Sequence, residues 1–234
     1  MQTKAIGNNT PLLTVGLAFV TADLIPRDGG LFPPCIWTCN PETCKRRHPF
    51  LGDDVFIARG HIIRMLRKEV PRLFPSNEPI QLNRARVLSK GTDLLVLSSS
   101  ICTEEAMRAV SVLRNRGVSV QHMHVSTLKP FTDESLLEAA QSVKYGVVTI
   151  ENHLKIGGLG SAMADYMVEN GVHKDLIKIG LDGYAHGASK LYLMEKYGLD
   201  AMNIVHAAEK LMKQSLAISK EDLDTARFVD FLEV

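Results

Sequence analysis

Short apolar runs alternate with amphipathic segments between residues 92 and 214, and this alternation most limits how the chain can fold. Leu94–Ser98 is a continuous apolar run after Gly91, which is typical of a strand covered on both faces. Three further runs are predicted as strands, and a helical pattern separates each from the next. This order predicts an α/β domain with a mostly parallel sheet, right-handed crossovers and flanking helices. The three runs are Val118–Val125, Gly146–Ile150 and Leu176–Ile179.

Helix start and stop signals fall between and after the predicted strands. Thr103, followed by Glu104 and Glu105, is a typical helix start, and Gly117 is a typical stop. Comparable signals predict further helices, so strands and helices alternate regularly along this part of the chain. The predicted helices are Thr103–Arg116, one after Thr132, Ser161–Glu169, Ser189–Tyr197 and one from Ala201 to about Met212.

The composition and the hydrophobic pattern change along the chain, and these changes divide it into five segments. Residues 1–54 show no sustained period and stay unassigned, whereas residues 55–74 resemble a strand followed by a loop. Prolines and polar turn residues make 75–91 a linker of the kind that separates domains. The predicted α/β domain then spans 92–214, and residues 215–234 form a C-terminal tail.

The charge balance and the lengths of the apolar runs exclude several classes of protein. The 234 residues carry 27 Lys and Arg against 26 Asp and Glu, a net charge of +1, which argues against a nucleic-acid-binding protein. The N-terminal apolar run Pro11–Ala22 is too short to cross a bilayer. Four cysteines do not form a disulfide framework in a chain of this length. We therefore expect a cytoplasmic protein with small-molecule or protein partners.

A glycine-rich loop follows the third predicted strand and is a candidate site. It contains Gly157, Gly158 and Gly160, and Ser161 opens the next predicted helix. Backbone amides in such a loop can bind an anion together with the helix N-terminus. The alternative is a tight turn that lets the helix approach the sheet closely. The spacing matches neither the dinucleotide-binding fingerprint nor a P-loop.

Polar residues near this loop are further candidates. Glu151 ends the third predicted strand, where a carboxylate either lines a ligand crevice or caps a neighbouring helix. His153 and His186 lie in loops close to glycines, where an imidazole can meet a ligand or a partner. We treat these residues and the glycine-rich loop as a candidate ligand or interface site.

Two groups of residues resemble metal sites only in part. The first contains Cys35, Cys39, Cys44 and His48. Its C-x3-C spacing departs from the commoner zinc pattern, which favours an accidental cluster. The second contains His122 and His124, which share one face of a predicted strand but have no carboxylate or thiol at a matching short spacing. The sequence therefore predicts no metal site.

The densest basic group outside the tail includes Arg64, Arg67, Lys68 and Arg72. Most charge runs are solvated surface. An arginine fixed at the end of a strand, however, can hold a phosphate through two parallel hydrogen bonds. This chemistry makes the arginines candidates for binding a phosphorylated substrate.

Several segments occur together in one order along the chain. The early ones are Ile62–Pro71, Ala85–Leu88 and Gly91–Leu94. The later ones are Thr127–Phe131, Ile150–His153, Gly157–Ser161 and Lys196–Ala201. Together they resemble the end of the pyrimidine-binding domain and the C-terminal domain of transketolases, a domain that deoxyxylulose-phosphate synthase and the pyruvate dehydrogenase beta subunit share. The segment Ala185–Ser189 looks most like split transketolases, which are encoded as separate N- and C-terminal subunits.

The resemblance implies a fold, an activity and a phosphate-binding residue. Residues 92–214 are similar to the transketolase C-terminal domain, and 55–74 to a remnant of the pyrimidine-binding domain. The family transfers two-carbon ketol units between sugar phosphates with thiamine diphosphate and Mg²⁺, and the cofactor supplies the carbanion chemistry. An arginine matching Arg67 contacts the sugar phosphate in this family, and Arg64 is the neighbouring candidate.

The resemblance also implies a partner, because much of the family's cofactor-binding machinery has no counterpart in this sequence. The diphosphate and the metal ion bind an N-terminal domain, and the pyrimidine ring needs a glutamate and a stacking aromatic residue from the middle domain. We therefore expect an N-terminal transketolase subunit as partner, a homo-oligomeric assembly, and no activity of this chain alone. The alternative function is a non-catalytic module for association or ligand binding.

Overall fold

The computed structural model describes residues 72–75 and 78–226 of the chain. This part of the chain contains five strands and six helices that alternate for most of its length. The strands are β1 (Arg86–Ser89), β2 (Leu94–Ser98), β3 (Val120–His124), β4 (Gly146–Leu154) and β5 (Leu176–Leu181). The helices are α1 (Cys102–Asn115), α2 (Glu134–Ser142), α3 (Leu159–Glu169), α4 (Lys190–Lys196), α5 (Ala201–Met212) and α6 (Lys220–Thr225).

The strands form one sheet in the order β1-β3-β2-β4-β5. Strands β2 to β5 are parallel to their neighbours, and β1 alone runs antiparallel, against β3. Leu95 lies at the centre of the sheet, opposite Gln121 on one side and Val147 on the other. The predicted mostly parallel α/β sheet with flanking helices is therefore confirmed.

Helices cover both faces of the sheet, and this explains the continuous apolar run in β2. Leu94 and Val96 point into a core formed with α1 and α5, whereas Leu95 and Leu97 point into a second core formed with α2 and α3. All five residues of β2 are buried. A strand covered on both sides cannot alternate apolar and polar residues, because each side chain enters one of the two cores.

Two elements lie in segments that the sequence predicted as irregular. The edge strand β1 falls within the predicted linker 75–91, and α6 falls within the predicted tail 215–234. Strand β1 has only four residues and a register shift against β3, so it carries little periodic signal. Helix α6 begins with a capping box in which the Ser219 hydroxyl and the Asp222 carboxylate each bond to the other residue's amide.

The two boundaries on either side of the glycine-rich segment also move. Strand β4 continues to Leu154 rather than ending at Ile150, and α3 begins at Leu159 rather than at Ser161. Both shifts shorten the loop between β4 and α3. The glycine-rich segment is therefore partly helix, and Glu151 lies within the last part of the strand.

A buried carboxylate joins the helices on the α1 face. Glu105 accepts a hydrogen bond from the Ala201 amide at 3.0 Å, which places its charge at the N-terminus of α5. The same carboxylate pairs with Arg108, whose guanidinium also donates to the Leu223 carbonyl at 3.0 Å. Leu223 is buried in the core that α1 and α5 share. Helix α6 is therefore fixed to this layer by both polar and apolar contacts.

Candidate functional site

Ligand sites in open α/β sheets form where the parallel strands end, at the carboxyl edge of the sheet. In this domain the loops that follow β4 and β5 lie at that edge. The glycine-rich segment and His186 lie in these loops, and Glu151 lies in the last part of β4 beside them. The candidate site is thus built from the β4–α3 and β5–α4 connections.

Glu151 caps helix α3. Its side chain is almost fully buried, with 1% exposed. One carboxylate oxygen accepts the Leu159 amide at 2.6 Å, and the other accepts the Gly160 amide at 2.8 Å. The N-cap residue of α3 is Gly158, which has no side chain of its own to cap the helix. The strand-end carboxylate supplies that cap, and it places a negative charge at the positive end of the helix.

The protonation of Glu151 reflects opposing effects. Burial raises the pKa of this carboxyl above its ordinary value, and the hydrogen bonds from the Gly160 and Leu159 amides act in the opposite direction. The positive charges of His153 and Lys178 also lower the pKa by smaller amounts. The group therefore has the perturbed pKa often seen at functional sites, but its geometry assigns it a helix-capping role.

Two glycines allow this close approach of helix and strand. A Cβ atom on Gly158 would overlap a carboxylate oxygen of Glu151 and would lie 2.7 Å from the Leu154 carbonyl oxygen. A Cβ atom on Gly160 would lie 2.7 Å from the Thr149 hydroxyl oxygen and from side-chain carbons of Lys178. The geometry thus favours close packing over anion binding, because the first amides of α3 already bind Glu151.

The loop between β4 and α3 is held by further hydrogen bonds. The Ser161 hydroxyl donates to the Lys155 carbonyl at 2.6 Å and accepts from the Gly157 amide at 3.2 Å. The Lys155 amide donates to the Leu181 carbonyl at 2.9 Å, which ties the loop to the end of β5. Ser161 is therefore a structural residue of the loop, and the two connections at the carboxyl edge are linked.

The two candidate histidines have different surroundings. His153 is half-buried, its ring Nδ1 lies 3.0 Å from the Leu154 carbonyl oxygen, and its charge acts on Glu151. His186 is exposed and contacts Tyr192 and Tyr197, with 3.4 Å between its Nδ1 and the Tyr197 hydroxyl. The structure thus brings His153 close to Glu151, whereas His186 belongs to the surface near α4.

A buried polar network on β2, β3 and α1 was not predicted from the sequence. The Ser98 hydroxyl lies 2.8 Å from Nε2 of His122 and donates to the Thr103 hydroxyl at 3.1 Å. The Thr103 hydroxyl lies 2.8 Å from Nδ1 of His124. A consistent direction runs from His122 N–H through the two hydroxyls to His124 Nδ1. The two histidines share one face of β3 as predicted, and hydroxyl groups are their partners.

Burial keeps both of these imidazoles neutral. It lowers the pKa of His122 to about 3, and His124 lowers it further when that ring is protonated. Burial likewise lowers the pKa of His124 to about 4, with a further contribution from the charge of Arg86. A neutral imidazole can accept one of the network's hydrogen bonds, which an imidazolium cannot.

Aromatic and charged groups close the outer end of this network. The Phe74 ring centroid lies 5.1 Å from that of His124 and 4.3 Å from the Arg86 guanidinium carbon. Arg86 also pairs with Glu78 at 3.2 Å. This stack ties the segment that enters β1 to the carboxyl edge.

The described residues do not fit the cofactor that the resemblance implies. The first amides of α3 are the groups in this segment that suit a diphosphate, and they bind Glu151. Within residues 72–75 and 78–226, no three His, Cys, Asp or Glu side chains are grouped as metal ligands would be.

None of the helices in this part of the chain has the length and hydropathy to cross a membrane.

Other candidate residues lie outside the described part of the chain. They are Arg64 and Arg67, and the cluster of Cys35, Cys39, Cys44 and His48. The segment 1–54 and most of the segment 55–74 also lie outside it. The phosphate-binding role of the arginines therefore stays a prediction.

Comparison with known proteins agrees with the fold. The family model of the transketolase C-terminal domain matches residues 83–204. This chain belongs to that family. A solved split-gene transketolase, an inactive beta4 tetramer, superposes with a TM-score of 0.59 at 33% identity, covering 63% of this chain and 48% of that one. The resemblance to the transketolase C-terminal domain is thereby confirmed, and strand β1 lies within the matched residues.

Two of the curated relatives are transketolase subunits. The chain is 36% identical over 153 residues to the 6-deoxy-6-sulfo-D-fructose transketolase subunit SqwH of Clostridium sp. (strain MSTE9), covering 65% of this chain and 47% of that subunit. It is 29% identical over 153 residues to an apulose-4-phosphate transketolase subunit of Phocaeicola vulgatus, covering 65% of this chain and 48% of that protein. The chain spans about half the length of the curated relatives it matches.

The contact between Glu151 and α3 predicts different effects for two neighbouring glycine substitutions. Gly158→Ala forces a Cβ atom into the Glu151 carboxylate, so we expect a loss of about 3 kcal/mol or more in the free energy of unfolding. Gly157→Ala is the control, because its φ of +76° makes alanine unfavourable although nothing lies within 4 Å of the added Cβ; we expect a loss of about 1 kcal/mol. Urea unfolding of the full chain measures both, and equal losses would contradict the close-packing role.

The buried histidines predict a pH dependence of stability. Their folded pKa values lie below the unfolded value of about 6.5, so their stabilising effect is complete above about pH 6.5 and is lost as the pH falls towards about 3 to 4. The slope approaches about 1.4 kcal/mol per pH unit for each histidine. We expect His122→Asn to make the curve of unfolding free energy against pH shallower, because one of the two buried imidazoles is removed. A wild-type curve that is flat between about pH 6 and about pH 4.5 would refute this coupling.

Proposed function

We propose that this chain is the C-terminal component of a split, thiamine-diphosphate-dependent transketolase. It acts with a partner chain, and the complex transfers two-carbon ketol units between sugar phosphates. The transketolase subunits among its relatives support this function.

The capping of α3 by Glu151 carries the assignment of the cofactor to the partner. A glycine-rich segment that opens a helix at the carboxyl edge is the place in this domain best suited to an anion. The Glu151 carboxylate already receives the Leu159 and Gly160 amides there, and both oxygens are engaged. A diphosphate would have to displace a buried carboxylate, so the cofactor and its Mg²⁺ belong on the partner chain.

Arg67 is our proposed ligand for the sugar phosphate. Its guanidinium offers two parallel N–H groups that match two phosphate oxygens, which gives both affinity and orientation. Arg64 has the same chemistry three residues earlier and is the natural comparison. The arginine that binds the phosphate contributes to binding the substrate in both its ground and transition states.

A second candidate function is a non-catalytic association module. The hydrogen bonds of Glu151, Ser161, His122 and His124 all remain inside the domain. Such an arrangement suits a domain that stabilises an assembly rather than one that contacts substrate. This alternative predicts a complex with the N-terminal subunit that shows no ketol transfer.

Reconstitution tests the proposed function. The full chain is co-expressed with the thiamine-diphosphate-binding subunit from the same source, and ketol transfer between sugar phosphates is assayed with thiamine diphosphate and Mg²⁺. We expect activity from the complex and none from this chain alone. A complex that forms without activity would favour the association module, and the failure of any complex to form would contradict both functions.

Substitution of the arginines tests the role of Arg67 within that complex. Arg67→Ala is expected to raise the KM for phosphorylated substrates by about tenfold or more with a smaller change in kcat, because the phosphate contact is present before and during the reaction. Arg64→Ala is the matched control and is expected to have a smaller effect. An unchanged KM for Arg67→Ala would remove its assignment, and a larger effect of Arg64→Ala would transfer the role to Arg64.

A further inference from the structure

One arginine of the edge strand holds the segment that leads into the sheet. Arg86 lies at the start of β1, and its guanidinium makes three contacts with the chain that precedes this strand. Its carbon lies 4.3 Å from the Phe74 ring centroid, its Nε pairs with the Glu78 carboxylate at 3.2 Å, and its Nη2 donates to the Pro79 carbonyl at 3.5 Å. We call this preceding chain the entry segment, and it comprises residues 72–75 and 78–79.

The Phe74 ring also rests on the end of β3. Its centroid lies 5.1 Å from that of His124, and His124 is the residue of β3 that lies opposite Arg86. Nδ1 of His124 lies 2.8 Å from the Thr103 hydroxyl, in the first turn of α1. The entry segment is therefore joined through one aromatic side chain to two strands and a helix at the carboxyl edge.

A buried donor of Arg86 indicates which contact keeps the entry segment in place. Its Nη1 atom is buried and has no hydrogen-bond partner among the described residues. Such a donor is unfavourable, and water would hydrate it if the entry segment moved away. The Glu78 carboxylate is 48% exposed, so its ion pair contributes little. The stacking of the Phe74 ring on the guanidinium is thus the contact that favours the observed arrangement.

The entry segment lies close to Arg67 along the chain. Arg67 precedes Phe74 by seven residues. An extended chain spans at most about 3.3–3.6 Å per residue, so the two Cα atoms lie within about 25 Å of each other in any conformation. An anchor at Phe74 therefore limits the region that Arg67 can occupy. A binding group that is confined in advance loses less conformational entropy when its ligand binds.

We propose that Phe74, stacked on Arg86 and His124, is a positioning residue for the binding of the substrate phosphate. It fixes where the preceding chain leaves the domain at the carboxyl edge, and so restricts the approach of Arg67 to the phosphate. The inference deepens the proposed function, since it rests on Arg67 as the phosphate ligand. It gives this domain a part in substrate binding through an aromatic anchor rather than through its internally bonded polar groups.

Hydrogen exchange of the full chain tests the anchor. Phe74→Ala removes the ring from the guanidinium and the imidazole, so the amides of the entry segment are expected to exchange about tenfold faster, while those of β2 and α1 keep their wild-type rates. Phe74→Tyr retains the aromatic face and is expected to exchange like the wild type. Unchanged exchange of the entry segment in Phe74→Ala would overturn the anchor.

Kinetics of the reconstituted complex test the positioning role. Phe74→Ala is expected to raise the KM for phosphorylated substrates about fivefold, with a smaller change in kcat, and Phe74→Tyr is expected to restore it. When Arg67→Ala is already present, Phe74→Ala is expected to add no further increase, because both changes weaken the same phosphate contact. An unchanged KM in Phe74→Ala, or a full further increase in the double variant, would overturn the proposal.

Phe131→Ala is the matched control. Phe131 is also half-buried and stacks edge-on against Tyr166 at 5.6 Å, but it packs against the core formed with α2 and α3. Its loss is expected to leave the exchange of the entry segment and the KM unchanged, and a KM effect equal to that of Phe74→Ala would contradict a specific role of Phe74. An inactive wild-type complex would contradict the proposed function and the role of Arg67, whereas the exchange of the chain alone still decides the anchor.

Discussion

The carboxylate of Glu151 organises the carboxyl edge of the sheet, because it joins the end of β4 to the first amides of α3. Everything nearby is arranged around this contact. Gly158 and Gly160 have no side chains that would separate helix from strand, and Ser161 closes the short loop that remains. A buried carboxylate is unfavourable unless its oxygens are hydrogen-bonded, and here both are bonded to helix amides that would otherwise lack partners. The same contact that stabilises the domain also removes its best anion site, so local packing decides where the cofactor can bind.

The histidine network shows how a sheet buried on both faces tolerates polar groups. Ser98 and His124 are directly opposite each other on β2 and β3, and Thr103 approaches them from the start of α1. Each hydroxyl can donate once and accept, so two hydroxyls connect two imidazoles without an unsatisfied atom between them. The arrangement requires a neutral His124, whose Nδ1 accepts, and burial favours the neutral form of both rings by lowering their pKa values. Stability against acid is thus coupled to the register of two strands.

Hydrophobic periodicity predicted the strands and helices that depend on local sequence. It did not predict the features that depend on contacts between residues far apart in the chain. The run Leu94–Ser98 indicated a doubly covered strand because both faces must be apolar. Strand β1 was missed because it is short and lies at the edge of the sheet. The sequence left two roles open for Glu151, lining a ligand crevice or capping a helix. Only its hydrogen bonds to the Leu159 and Gly160 amides, eight and nine residues later, identify it as a helix cap. The hydrogen bond between His122 and Ser98 could not be predicted from the sequence, because it runs diagonally between β3 and β2, and the register places Val96 opposite His122. Helix α6 carried a readable signal in its capping box.

The contrast between the polar and apolar groups at the carboxyl edge bears on what this domain contributes to an assembly. The polar groups that usually mark a catalytic site, such as Glu151 and Ser161, form their hydrogen bonds inside the domain. The apolar groups beside them, led by Tyr184, remain in contact with water. Binding at the exposed apolar groups is favourable because it removes apolar surface from water. Binding at the polar groups would first have to break their hydrogen bonds inside the domain. A domain of this kind gains more from contact with another protein chain than from contact with a small anion. This is consistent with chemistry carried by a partner and with association carried by the chain described here.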